Sequence, residues 1–152
     1  MPHKGEIPDC ETARQQTCRF PPFAVLWKLP MDVKNLNEIA AFTTKDGSEI
    51  RELLAHRNSC IRNQTLAEAR LPAGTSTIPH RHLKTEEIYY ILEGHGRMRV
   101  AEERREIGPG DAVAIPPEAL HQVTNTGNET LTFLCCCAPG YEHDDTVLEE
   151  EG

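Results

Sequence analysis

Two histidines, His80 and His82, and a nearby glutamate, Glu87, have the types and spacing that point most clearly to chemistry. Successive side chains of a β-strand point to opposite faces, so histidines two residues apart share one face if this segment is extended. Pro79 cannot donate a ladder hydrogen bond and suits a strand start. Two imidazoles and a carboxylate converging from neighbouring strands form a mixed nitrogen and oxygen ligand set for a transition metal.

A second stretch, residues 108–125, contains a further histidine, His121. It opens with a Gly-Pro-Gly-Asp sequence, which is typical of a turn. A short apolar strand follows at residues 112–115, and Pro116 ends it. His121 then lies on the next predicted strand.

Together the two stretches resemble the two sequence motifs of the cupin superfamily. The positions that match the first motif are Gly74, His80, His82, Glu87 and Gly94. Those that match the second are Gly110, Pro116, His121 and Asn125, with Glu118 at a turn position where the family usually has glycine. The resemblance implies an all-β fold, a double-stranded β-helix (jelly-roll) cupin barrel with a metal inside one end. It does not give the function, because this fold supports many chemistries.

The four motif residues His80, His82, Glu87 and His121 would supply three neutral nitrogens and one anionic oxygen. On a metal that prefers six ligands, two positions stay open for water, dioxygen or a chelating substrate. We therefore expect one divalent transition metal: iron, manganese, nickel or copper, with zinc as a further option that more often takes fewer protein ligands. Glu86 competes with Glu87, but the six-residue gap to Gly94 favours Glu87, and alternation turns Glu86 outward.

Three further residues are candidate substrate contacts: Tyr89, Met98 and Cys135. Tyr89 lies two residues after Glu87 and should point to the same interior, where it is either a substrate contact or a core aromatic. Met98 faces inward in a strand that alternates with arginines. Each ligating imidazole also needs an outer partner for its second nitrogen, and Asn125 and Tyr89 are the candidates.

The six cysteines are predicted to be thiols in a reducing compartment: Cys10, Cys18, Cys60, Cys135, Cys136 and Cys137. The last three are consecutive, so on a strand Cys135 and Cys137 share one face and Cys136 takes the other. They are either small apolar core side chains or, if that face lines the pocket, thiols close to the metal.

The chain is predicted to have three parts: an N-terminal arm at residues 1–34, a barrel at residues 35–140 and an acidic, solvated tail at residues 141–152. The arm contains one apolar segment, residues 23–27. It would cover the barrel, add to a partner subunit or belong to a leader without fixed structure.

Short apolar runs between turn signals predict the strands of the barrel. Asp46-Gly47 predicts a hairpin that leads into residues 49–54, and residues 101–105 are predicted to be a charged turn. The other predicted strands are residues 65–71, 87–92, 97–100, 112–115 and 131–138.

Composition excludes several classes of function. The 152 residues fit one domain, and the net charge of −8, without a basic cluster, argues against nucleic-acid binding. No apolar run reaches the length of a membrane span, and the N-terminus lacks the apolar core of a signal peptide, so we expect a cytoplasmic protein.

The apolar arm and an exposed barrel edge predict a homodimer. The remaining histidines are expected at the surface: His3, His56, His95 and His143.

Three functions are compatible with these residues. The first is a small metalloenzyme, a dioxygenase-type oxidoreductase that acts on a small organic molecule. The second is a metal-dependent isomerase, epimerase or lyase, which needs a separate base that the motifs do not supply as histidine or lysine, although Glu, Tyr or Cys would serve. The third is a non-catalytic cup for a small ligand.

Overall fold

The computed structural model describes residues 31–149. The strands in this range are β1 Phe42–Thr43, β2 Glu49–Leu54, β3 Thr65–Leu71, β4 His80–His82, β5 Glu86–Glu93, β6 Gly96–Val100, β7 Glu103–Ile107, β8 Ala112–Ile115, β9 His121–Asn125, β10 Leu131–Ala138 and β11 Thr146–Leu148. Two short 3-10 helices span Leu36–Glu38 and His143–Asp145. Nearly all of the predicted arm, with its apolar segment, lies outside the described residues. None of the described helices is long and apolar enough to cross a membrane.

The strands form two antiparallel sheets. One sheet has the order β1-β2-β3-β10-β5-β8, and the other has the order β11-β4-β9-β6-β7. Consecutive strands often lie in different sheets, so the chain winds between them as a double-stranded β-helix. The all-β jelly-roll fold predicted from the sequence is therefore confirmed.

Strand β5 shows how the interior is divided between core and site. Its burial alternates: Glu87, Tyr89 and Ile91 point inward, while Glu86 and Ile88 point outward. The inward residues become apolar along the strand. The facing residues of β10 follow the same gradient, since Cys137, Cys135 and Phe133 pair with Glu87, Tyr89 and Ile91. Polar groups thus collect at one end of the barrel.

The apolar end is filled by large side chains that are almost completely buried. They are Leu71, Ile91, Val123, Leu131 and Phe133, none more than 2% exposed. Burying each such side chain contributes about 1.5–3 kcal/mol. This packing holds both sheets together and lets the opposite end carry buried polar groups.

Two segments differ from the sequence prediction. The charged turn predicted at residues 101–105 is shorter, because β7 starts at Glu103 and pairs with β6. The barrel also extends beyond residue 140, since β11, in the predicted tail, pairs with β4. This pairing satisfies backbone groups of β4 that would otherwise form an open sheet edge.

The hairpin predicted at Asp46-Gly47 joins β1 to β2, and Gly47 adopts φ +87. The backbone N–H of Ile78 donates to the carbonyl oxygen of Asp46 at 2.7 Å. This bond ties the hairpin to the segment that leads into β4. It places the Asp46 side chain beside the polar end of the barrel.

Glu118 occupies a turn in the left-handed region, with φ 65, and its N–H donates to the carbonyl oxygen of His82 at 2.7 Å. A residue with a Cβ pays a steric penalty there, which glycine avoids. We expect Glu118→Gly to raise the free energy of unfolding by about 0.5–1 kcal/mol, measured by urea denaturation.

The matched control is Glu103→Gly in β7, where glycine only adds freedom to the unfolded chain and should lower stability. Equal destabilisation by both substitutions would show that the turn at Glu118 carries no strain.

Candidate metal centre

Four buried side chains converge at the polar end of the barrel. His80 and His82 come from β4, Glu87 from β5 and His121 from β9, and one donor atom from each lies within 4.8 Å of the others. The carboxylate is central: Glu87 Oε2 lies 3.3 Å from His82 Nε2 and 3.4 Å from His121 Nε2. The structure therefore brings together all four residues selected from the sequence motifs.

The register of the strands produces this convergence. His80 is paired directly with His121 across β4 and β9. His82 lies two residues further along the same face of β4. Glu87 enters from the other sheet, as the first inward residue of β5.

Backbone carbonyls orient two of the imidazoles. His80 Nδ1 lies 2.8 Å from the carbonyl oxygen of Ile78, and His121 Nδ1 lies 2.9 Å from that of Ala119. A carbonyl oxygen can only accept, so each Nδ1 carries the hydrogen. In the neutral ring the Nε2 atom then has a free lone pair that points into the cluster.

His82 has a side-chain partner, since its Nδ1 lies 3.2 Å from Thr146 Oγ1 of β11. Neither Asn125 nor Tyr89, the two candidates from the sequence, hydrogen-bonds to the second nitrogen of any of these imidazoles. Asn125 instead holds a turn, donating to the carbonyl oxygens of Leu71 and Glu129 and accepting from the N–H of Gly127.

The electrostatics of the cluster fit a cation. With Nδ1 protonated, His121 Nε2 and Glu87 Oε2 are two acceptors facing each other, and both are buried without a hydrogen-bond partner. An unsatisfied buried polar group is costly, and a positive ion between the two removes the cost for both. The donor set of three imidazole nitrogens and one carboxylate oxygen suits a divalent transition metal.

The pKa shifts favour the ligating forms. Burial by itself would raise the pKa of Glu87, but hydrogen bonds and positive charge from the imidazoles of His121 and His82, when their Nε2 atoms carry a proton in the absence of an ion, outweigh it and lower this pKa to about 2. Burial, reinforced by the nearby His121, lowers the pKa of His80. Glu87 is therefore an anion and His80 is neutral at physiological pH, as metal coordination requires.

The alternation of β5 separates Glu87 from its competitor. Glu87 is 5% exposed within the cluster, whereas Glu86 is exposed on the outer face. Glu86 therefore lies on the opposite side of the sheet from the three histidines.

A pocket with a cavity volume of about 50 Å³ opens onto the cluster. Its walls are largely apolar, with Phe42, Ile50 and Phe133 among the lining residues. Tyr89 and Cys135, two of the predicted substrate contacts, also line it, and their contact with a substrate stays a prediction. Met98 does not: it is buried in the core and pairs with Val123 across β6 and β9.

Sequence reasoning missed most of the other residues that line this pocket, among them Asp46, Tyr141 and Thr146. Asp46 is the most informative. Its Oδ1 accepts hydrogen bonds from Thr44 Oγ1 and from the N–H and Oγ of Ser48, while its Oδ2 faces His80 Nε2 at 4.0 Å. The only signal in the sequence was the Asp-Gly turn, which locates a hairpin and says nothing about where the carboxylate lies.

Comparisons with known proteins agree with this geometry. A family model described as Cupin domain matches residues 67–137. An uncharacterized protein of Methanocaldococcus jannaschii is 46% identical over 114 residues, which are 75% of this chain and 91% of the relative. A crystal structure described as a predicted oxalate decarboxylase from Thermotoga maritima superimposes with a TM-score of 0.63 at 29% identity, covering 71% of this chain and 99% of that chain.

A glucose-6-phosphate isomerase of Thermococcus kodakarensis is 36% identical over 80 residues, which are 48% of this chain and 42% of the isomerase. The similarity thus covers less than half of the isomerase.

Removing one imidazole tests the ligand set. We expect His80→Ala to weaken binding of a divalent transition metal by more than about 100-fold, because it deletes a direct ligand, while circular dichroism still shows a folded barrel. His143→Ala, in an exposed position, is the control and should bind like the wild type. If His80→Ala keeps one full equivalent of metal by mass spectrometry, His80 is not a ligand.

Glu87→Gln and Glu86→Gln form a matched pair that removes one charge from opposite faces of β5. We expect the first to lower metal affinity by more than about 100-fold and the second to leave it within about threefold, by calorimetric titration. The reverse order would transfer the ligand role to Glu86.

Proposed function

The chain belongs to the cupin superfamily, and from this premise we propose that it is a small metalloenzyme, a dioxygenase-type oxidoreductase acting on a small organic molecule. One observation carries the metal part: Glu87 Oε2 and His121 Nε2 face each other as buried acceptors without a partner. His80, His82, Glu87 and His121 would hold one divalent ion, iron, manganese, nickel or copper, with zinc as a further option.

The position of the pocket supports chemistry at the ion. Four protein ligands leave two positions free on a six-coordinate metal, and the apolar pocket lies beside three of the four ligands. When bound, a redox-active ion would supply dioxygen activation and polarisation of a chelated substrate. The protein's own part is to orient the substrate against the wall that contains Tyr89 and Phe133 and to keep water out.

The charges that line the pocket define the class of substrate. Among the described residues no lysine or arginine lines it, whereas Asp46, Glu52 and Glu87 do. Glu52 is neutralised by Arg57, whose Nε and Nη2 donate to its two oxygens at 3.0 and 2.7 Å. A divalent ion balances Glu87 and Asp46, so a dianionic substrate would add uncompensated charge. We propose a neutral or singly charged molecule with a chelating end and an apolar body.

The alternative is a metal-dependent isomerase, epimerase or lyase, or a cup that binds a small ligand without reaction. The similarity to the glucose-6-phosphate isomerase and to the predicted oxalate decarboxylase favours it. Asp46 adds a carboxylate that would serve as the base for such a reaction. Against a sugar phosphate, the described pocket offers no cationic side chain for a phosphate group.

The deciding experiment measures metal content and oxygen consumption. Protein purified without oxygen and loaded with Fe(II) is screened in an oxygen electrode against catechols, small thiols, β-diketones and 2-hydroxy acids. Oxygen uptake that depends on one of these compounds, and is lost in Glu87→Gln, supports the proposal. A protein that binds the metal and consumes no oxygen with any of them contradicts the oxidoreductase function.

The same samples test the alternative directly. Interconversion of glucose 6-phosphate and fructose 6-phosphate, or release of carbon dioxide from oxalate, would replace the dioxygenase proposal with an isomerase or lyase. Oxalate binding by calorimetry with neither reaction would leave a ligand-binding cup.

The charge argument predicts the effect of Asp46→Asn. The amide keeps the acceptor that holds Thr44 and Ser48 but removes one negative charge beside the cluster. We expect it to tighten the binding of dianionic oxalate to the Co(II)-loaded protein by roughly tenfold relative to monoanionic glycolate. An unchanged ratio of the two dissociation constants would show that Asp46 does not set the charge preference. Glu49→Gln, an exposed position in β2, is the control.

A further inference from the structure

The thiol of Cys137 contacts the metal-binding carboxylate directly. Its Sγ donates to Glu87 Oε1 at 3.2 Å, and both side chains are buried, with 3% and 5% of their surface exposed. The two residues are direct partners across β10 and β5. The strand register therefore holds the sulfur in place beside the carboxylate.

Because of this contact, the two oxygens of the Glu87 carboxylate have different neighbours. Oε1 accepts from Cys137, while Oε2 faces His82 Nε2 and His121 Nε2. A partial rotation of the carboxylate group would turn both oxygens toward the cluster. The thiol hydrogen bond opposes that rotation, since the turned carboxylate would leave its donor unpaired.

We propose that Cys137 is a positioning residue for the metal ligand: its S–H holds Glu87 so that a single oxygen, Oε2, is presented to the ion. Two-oxygen coordination by Glu87 would occupy a position that the substrate needs. The thiol therefore keeps the site both ordered and open. This inference rests on the metal site of the proposed function and adds a residue outside the four ligands.

Cys135 provides a matched control on the same strand. Its thiol is also buried and also lines the pocket, on the same face of β10. Within the described residues it makes no hydrogen bond to any of the four ligands. Its neighbour across the sheet is Tyr89 rather than Glu87. Substitution of either cysteine therefore removes a buried thiol, but only substitution of Cys137 also removes a hydrogen bond to Glu87.

The first experiment titrates Co(II) into metal-free wild type, Cys137→Ala, Cys137→Ser and Cys135→Ala, following the visible d–d absorption. Removing a hydrogen bond to a metal ligand typically costs 10–100-fold in metal affinity. We expect Cys137→Ala to bind Co(II) about 10–100-fold more weakly, with an altered d–d spectrum. Cys137→Ser restores a donor and should recover most of both, and Cys135→Ala should match the wild type.

The second experiment tests the hydrogen bond without any metal. The infrared S–H stretching band of metal-free protein, assigned to Cys137 by its loss in Cys137→Ser, should shift in Glu87→Gln because the charged acceptor is removed. An unshifted band would overturn the proposal. This measurement also decides the matter if Cys137→Ala fails to fold.

The outcomes separate this inference from the proposed function. If the wild type binds Co(II) and Cys137→Ala binds equally well with the same spectrum, the positioning role is refuted and the metal site stands. If the wild type binds no divalent transition metal, the proposed function fails and the positioning role fails with it.

Discussion

The structure depends on one buried anion, the Glu87 carboxylate, and on what surrounds it. Removing a carboxylate from water is expensive unless it is paired and hydrogen-bonded. A thiol donates to one oxygen, whereas the other lies within 3.4 Å of two imidazole nitrogens and lacks a hydrogen-bond partner among the described residues, so a bound cation would complete its pairing. The apolar packing of the opposite end, around Phe133 and Ile91, stabilises a barrel that tolerates this burial.

The same carboxylate connects the two sheets at the site. Glu87 and Cys137 belong to the six-stranded sheet, whereas the three histidines belong to the five-stranded one. The metal would therefore bridge the sheets at the end that lacks apolar filling. Binding there should close the polar end of the barrel, and the ion would stabilise the fold as well as supply chemistry.

Segments outside the family motifs complete the pocket. The hairpin between β1 and β2 contributes Asp46, and the C-terminal β11 contributes Thr146, which holds His82. These segments would decide the charge and the size of a substrate, while the motif strands carry the four candidate metal ligands. Such a division would allow one barrel to serve different substrates.

The sequence by itself predicted most of the strands, although not β7 or β11, and the four candidate ligands. A His-x-His spacing forces two imidazoles onto one face of a strand, and the alternation of β5 separates Glu87 from Glu86; both follow from the two-residue period of extended chain. The all-β fold was implied by the resemblance of the two motifs to the cupin family, and the glycines and prolines between short apolar runs agree with it. The same two-residue period placed the side chains of Cys135 and Cys137 on one face of β10.

Only the tertiary structure decided which groups surround the ligands. The partners of His80 and His121 are backbone carbonyls, which every residue possesses, so no residue type could mark them. Asn125 has the right chemistry for that role but is used in a turn. Asp46 and Thr146 are far from the motifs in sequence and reach the site through strand pairing. Period and spacing are local properties that a sequence displays, whereas contacts between distant segments depend on sheet order and register, which only the folded chain specifies.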